Sequence, residues 1–205
     1  MLRPRRGPAT RIARKRRARV RTLEVRPAPT YDRGFAMSSD PTLAIDRPNA
    51  LGRRAAIVVS RYHAEITDLL EAGAREAFLD AGGTASNLAV ADSPGAFELV
   101  PIAAAWARRP DIDLVVTLGC IVTGETRHDR YLAAAVAESL ANLSAELRKS
   151  IAFGVLTVAD LDQARARCGG SHGHKGVESM QAALAAAAAI DAARSWSPGP
   201  DTAGS

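Results

Sequence analysis

Four short apolar runs in this chain each end in residues able to do chemistry. Arg61-Tyr-His63 follows Ala55-Ala-Ile-Val-Val-Ser60, and Asp92-Ser-Pro-Gly-Ala-Phe-Glu98 follows the run 87–91. Gly119-Cys-Ile-Val-Thr-Gly-Glu-Thr-Arg-His128 follows Leu114-Val-Val-Thr-Leu118. The fourth run, Ile151-Ala-Phe-Gly-Val-Leu156, carries Phe153 and is followed further on by Arg167-Cys-Gly-Gly-Ser-His-Gly-His-Lys-Gly176. The set comprises aromatic rings, a carboxylate, a Gly/Thr turn with a histidine, and a group of cations. It suits a flat polar ring stacked on aromatics with a phosphate held nearby. Histidine titrates near neutrality without special tuning, so His128 is the natural donor and acceptor of protons. Gly124-Glu-Thr126 precedes a helical pattern, where free backbone N–H groups and the helix dipole attract an anion. A lone histidine at a helix start is ordinarily no more than that, and a lone Arg or Lys is ordinarily a solvated charge.

The elements that must position these residues are readable from periodicity. A buried strand is expected at 55–60, and a helix over 63–81 with apolar residues at 66, 69, 70, 74, 78 and 79, ended by Gly82-Gly83. A second strand is expected at 87–91, a helix at 96–108 stopped by Pro110, a third strand at 114–118 and a long helix at 129–148. A fourth strand at 151–156, a short helix at 160–168 and an alanine-rich helix at 176–194 complete the pattern. Four alternations of strand and helix call for a parallel sheet with helices on both faces. Ligands then bind at the carboxyl ends of the strands, where the unusual residues lie. Neither a Walker-type loop nor a Gly-x-Gly-x-x-Gly turn follows the first strand, so the common modes of nucleotide binding are not indicated.

Composition adds boundaries. The 205 residues suffice for one ordinary domain with terminal excess, and 47% of them are apolar. The longest apolar run, Ala182–Ile190, is shorter than a membrane span and is expected to be a buried helix face. Two cysteines, Cys120 and Cys168, without paired spacing fit a reducing cytoplasm and no zinc site. The net charge of +5 is unevenly placed: residues 1–36 hold 12 of the 27 basic residues and 2 of the 22 acids, giving +10 there and −5 elsewhere. An Arg-rich, acid-poor extension is compatible with nucleic-acid or membrane attraction, with a targeting segment, or with a true start at Met37. It gives no ground for a nucleic-acid function. The expected organisation is a basic extension at 1–36, a linker or strand at 37–52, the domain at 53–196 and a frayed tail at 197–205.

Five motifs in order, from about residue 53 to 194, resemble the lumazine synthase family. They are the aromatic after the first strand, Pro94-Gly-Ala-Phe-Glu98, Gly119 through His128, Phe153-Gly-Val-Leu-Thr157 and Gly173-His-Lys-Gly176. The resemblance implies a three-layer, flavodoxin-like α/β sandwich on a four-stranded parallel sheet. It implies a cofactor-free and metal-free condensation in riboflavin biosynthesis, with His128 as the acid–base group. Tyr62, Ala96, Phe97, Glu98, Cys120, Ile121, Val122 and Phe153 would form the aminouracil site, Glu98 meeting ribityl hydroxyls and 120–122 offering main-chain groups. Glu125 (through its backbone), Thr126 and Arg167 would hold the phosphate of the second substrate, with His63, Lys175 and Glu178 in support. Cys120 is expected to be a small buried residue and not a nucleophile.

The chain departs from the family pattern at His63 and His174 (usually Asn), Thr123 (usually Arg) and Asp129 (commonly aromatic). These departures bear on rate and substrate preference, and they motivate an alternative: a non-catalytic flavin- or lumazine-binding protein on the same scaffold. The resemblance further implies small-molecule substrates and a homo-oligomer, a pentamer that in some members builds an icosahedral shell, with riboflavin synthase as a possible associate and no membrane partner. In such an assembly Phe153, Arg167, Lys175 and Glu178 would complete a site begun by a neighbour's Tyr62, Glu98 and His128. His172-x-His174 invites a metal reading, but no carboxylate or cysteine completes a ligand set at suitable spacing.

Overall fold

The computed structural model describes residues 49–198. The expected basic extension, most of the linker and residues 199–205 lie outside them. The elements run β1 (Ala55–Ser60), α1 (Ala64–Asp80), β2 (Leu88–Ser93), α2 (Leu99–Ala107), β3 (Leu114–Val122), α3 (His128–Leu147), β4 (Ser150–Val158), α4 (Leu161–Arg165), β5 (Cys168–Gly170), β6 (Gly173–His174) and α5 (Lys175–Ser195). The first four strands form one parallel sheet in the order β2-β1-β3-β4, and β5 and β6 form a small antiparallel hairpin.

The central strand β1 is buried at every position, as a strand covered on both faces must be. Its side chains alternate between two cores. Ala55, Ile57 and Val59 join Leu114, Val116 and Leu118 beneath Leu70, Phe78 of α1 and Met180, Leu184 of α5. Ala56 and Val58 join Val115 and Val155 beneath Leu99, Ala103 of α2 and Val136, Leu140 of α3. The result is a three-layer α/β sandwich with α1, α5 and the short α4 on one face and α2 and α3 on the other.

Several expectations need adjustment. Strand β3 continues to Val122, so the first four residues of the Gly119–His128 motif are strand and not loop. Gly119 fits there because Leu99 and Val155 press to within 3.3 Å of where a Cβ would sit. In α1, Leu69 and Leu79 are exposed, while Thr67 and Gly73 take buried places beside Ile66, Leu70, Ala74 and Phe78. The run Ala182–Ile190 buries only Ala183, Leu184 and Ala187, a narrow helical stripe rather than a whole segment. Helix α4 ends at Arg165, and the hairpin that follows bends at Gly169 and Gly173, both at positive φ. Among the described helices none is long and apolar enough to cross a membrane.

Candidate active site

A cleft of about 490 Å³ opens at the carboxyl end of the sheet, between the loops after β1, β2 and β3. This is the size of a small-molecule site. It brings together ten of the residues singled out from sequence: Tyr62, His63, Ala96, Phe97, Glu98, Cys120, Ile121, Val122, Thr126 and His128. Gly95, Gly124, Asp129 and Leu132 also line it.

The loop after β1 is held by Arg61. Its guanidinium donates to Asp92 at 2.7 Å, Asp68 at 2.8 Å and Glu71 at 3.0 Å, binding the loop to the end of β2 and to α1. The hydrogen bond to Asp92, opposed by partial burial and aided by Glu71, raises the guanidinium pKa. Nothing in the motif pattern pointed to Arg61; the acids at 68, 71 and 92 around one arginine were the available signal. The loop then turns through His63, which is left-handed at φ 61°, unusual for a residue with a Cβ. That turn stands the Tyr62 and His63 rings edge to face at 4.7 Å, with Tyr62 exposed toward the cleft.

After β2, Ser93 donates its hydroxyl to the Gly95 carbonyl at 2.8 Å and turns the chain toward α2. Ala96 is buried there, while Phe97 and Glu98 remain exposed. At the end of β3, Cys120 is 2% exposed. Burial, with lesser effects from Cys168 and Glu65, pushes its thiol up from 9.0 to about 11. A thiol that resists ionisation is a wall and not a nucleophile at neutral pH. The segment 123–127 then crosses to α3, whose first residue is His128, exposed. Gly124 is in open space, so its backbone is free for close approach.

The remaining expected residues stand elsewhere in the chain. Glu125 is exposed on the turn but does not line the cleft. Phe153 lies on the edge strand β4 and is 40% exposed. Arg167, just before β5, and Lys175 and Glu178, in the first turn of α5, form a separate cluster flanking the β5–β6 hairpin. The Lys175 N–H donates to the Arg167 carbonyl at 2.8 Å, Lys175 pairs with Glu178, and the Arg167 guanidinium donates to Gln163 O at 3.0 Å. Neither Arg nor Lys is among the residues lining the cleft. Arg165 is exposed and paired with Asp162. His172 bonds Ser171, while the ring of His174 occupies the space where Gly73 lacks a Cβ, as near as 2.2 Å to that position.

An α/β domain with aromatics, a carboxylate and a histidine converging at its strand ends is built for a small planar substrate. Residues 52–191 match the model of the 6,7-dimethyl-8-ribityllumazine synthase family. The chain is 42% identical over 135 residues to the 6,7-dimethyl-8-ribityllumazine synthase of Thermus thermophilus, covering 66% of this chain and 86% of that protein. The synthase of Aquifex aeolicus is 41% identical over 135 residues (66% and 88% covered), and that of Frankia casuarinae 46% over 145 residues (70% and 89%). The chain belongs to the 6,7-dimethyl-8-ribityllumazine synthase family.

Proposed function

We propose that this chain is a transferase of riboflavin biosynthesis. It condenses 5-amino-6-(D-ribitylamino)uracil with 3,4-dihydroxy-2-butanone 4-phosphate to 6,7-dimethyl-8-ribityllumazine, releasing phosphate and water. The observation that carries this reading is one cleft lined by His128, Gly124, Thr126, two aromatics and Glu98 together. The aminouracil ring stacks against Tyr62, with main-chain groups of Cys120, Ile121 and Val122 at its polar edge and Glu98 accepting from ribityl hydroxyls. Its amine attacks the ketone of the second substrate, water leaves to give an imine, and elimination expels the phosphate. Ring closure with loss of water follows. Each step moves a proton on or off nitrogen or carbon, and in this reading His128, exposed at the head of α3, carries it. Backbone N–H groups of Glu125 and Thr126 receive the phosphate.

The cleft's lining carries no cation of its own, and a phosphate leaving group calls for one. We infer that a neighbouring subunit supplies Arg167, with Lys175 and Glu178 behind it and Phe153 over the ring, in a homopentamer. A shell of pentamers, and association with riboflavin synthase, are the larger assemblies this reading admits. Two buried free thiols suit a cytoplasmic setting. The departures at Thr123 and Asp129 do not favour a non-catalytic binder, since the two residues partner one another at the rim of the cleft.

The test is lumazine formation and phosphate release by purified protein given both substrates. His128→Ala should slow turnover by about 10²–10⁴-fold, the usual worth of a general acid–base group. Absence of turnover in the full chain and in one starting at Met37, with lumazine still bound tightly, would replace this reading with the binding protein.

A further inference from the structure

From Thr123 to Arg130 every residue is exposed except Asp129. Asp129 is 8% exposed, the one charged side chain among the buried residues described. Its Oδ2 accepts from the Thr123 hydroxyl at 3.1 Å, and no cation lies within salt-bridge distance among the described residues. Thr123 is itself fixed to the sheet: its N–H donates to the Val158 carbonyl at 2.9 Å, and its hydroxyl lies 3.2 Å from that same oxygen. The two side chains therefore close the ends of the turn 124–128 on each other and fasten the closure to the end of β4. The segment's own backbone hydrogen bonds only start α3, at Arg130 and Tyr131. A loop closed by one specific bond samples fewer conformations than an open one, and its bound geometry is prepared in advance.

We propose that Thr123 and Asp129 act as a clasp that positions the Gly124–Thr126 amides and His128 for the phosphate-bearing substrate. Both are positioning residues: they act through the turn and not on the reacting atoms. A carboxylate in the first turn also gains from the helix dipole, but that gain needs neither burial nor the Thr123 hydroxyl. The proposal rests on the reaction proposed above, so its test includes a measurement that does not.

Three single variants and one double decide it: Thr123→Val (same shape, no hydroxyl), Asp129→Leu (similar size, no acceptor), Thr123→Ser (hydroxyl kept) and Thr123→Val with Asp129→Leu. Steady-state kinetics should show KM for the phosphate-bearing substrate raised roughly tenfold in Val and Leu, as for one lost hydrogen bond to a charged group. KM for the aminouracil should stay unchanged, and Ser should restore the wild-type value. The double variant should be no worse than either single, as expected of partners in one interaction. Trypsin cleavage after Arg127, in the exposed turn, supplies the independent readout. It should be faster in the Val and Leu variants and unchanged in the Ser variant. Equal cleavage in all chains overturns the clasp, as does an unchanged KM in an active enzyme. Should wild type form no lumazine, the proposed reaction fails while cleavage still decides whether the clasp exists.

Discussion

Ionising Cys120 should cost the domain stability before it yields a nucleophile. The thiol sits at 2% exposure at the end of β3, among residues of the sheet core and the cleft wall, and its pKa is pushed up from 9.0 to about 11 chiefly by burial. Below pH 9 the thiol is protonated in both folded and unfolded chains, and stability is unaffected. Between pH 9 and about 11 the unfolded chain gives up the proton while the folded one retains it, so stability falls as pH rises. Above about 11 both are ionised and the loss is complete. A rise of this size corresponds to roughly 2–3 kcal/mol, at about 1.4 kcal/mol for each tenfold change in proton affinity. The assay is urea unfolding at steps from pH 8 to 11.5 for wild type and Cys120→Ala, taking the difference between their slopes so that lysines and tyrosines cancel. Cys168, also buried and also raised by burial, is present in both chains. Parallel pH profiles, together with rapid labelling of Cys120 in the folded protein at pH 8, would refute the reasoning and reopen covalent chemistry at this wall.

Other perturbations bear on the fold and on the assembly. Gly176→Ala would place a Cβ 2.0 Å from the Leu70 carbonyl oxygen and 2.8 Å from its carbon. Backbone must then move, and urea unfolding should show a loss of about 3 kcal/mol or more. Gly73→Ala meets the His174 ring first, at 2.2–2.7 Å, a side chain and not backbone, and should cost less in the same experiment. Subunits carrying His128→Ala and subunits carrying Arg167→Ala, each inactive alone, should regain activity when dissociated and reassembled together. Random mixing leaves roughly a quarter of shared sites intact. No recovery would place both residues in one subunit's site.

The sheet was legible because β1 and β3 are buried runs of small and β-branched residues, β4 is a partly buried one, and helices at the right spacing lie between them. Where the reading slipped, a packing contact decided what pattern could not. Gly119 looks like the start of a turn, yet it lies inside a longer strand, where Leu99 and Val155 crowd the place of a Cβ to 3.3 Å. Leu69 and Leu79 complete an apolar stripe in the sequence, but the helix turns Thr67 and Gly73 inward, and the bare Gly73 leaves room for the His174 ring arriving from the far hairpin. That contact joins residues about a hundred apart in the chain, and no local period captures it.

The same distinction runs through the site. Residue types at the ends of β1, β2 and β3 announced an aromatic, a carboxylate and a proton carrier, and those three ends do meet in one cleft. The ends of elements beyond β4 announced cations, and these do not join it. The hairpin bends at Gly169 and Gly173 and brings Lys175, at the head of α5, to the Arg167 carbonyl, while Lys175 pairs with Glu178 within that helix. A turn of free N–H groups can hold a phosphate dianion in a ground state. Expelling it builds further negative charge, which favours a cation placed beforehand at the leaving oxygen. One chain thus gathers the aromatics, Glu98 and His128 in one place and Arg167 and Lys175 in another. Under the shared site proposed above, the enzyme is a property of the assembly, and the charge on Arg167 specifies how its copies meet.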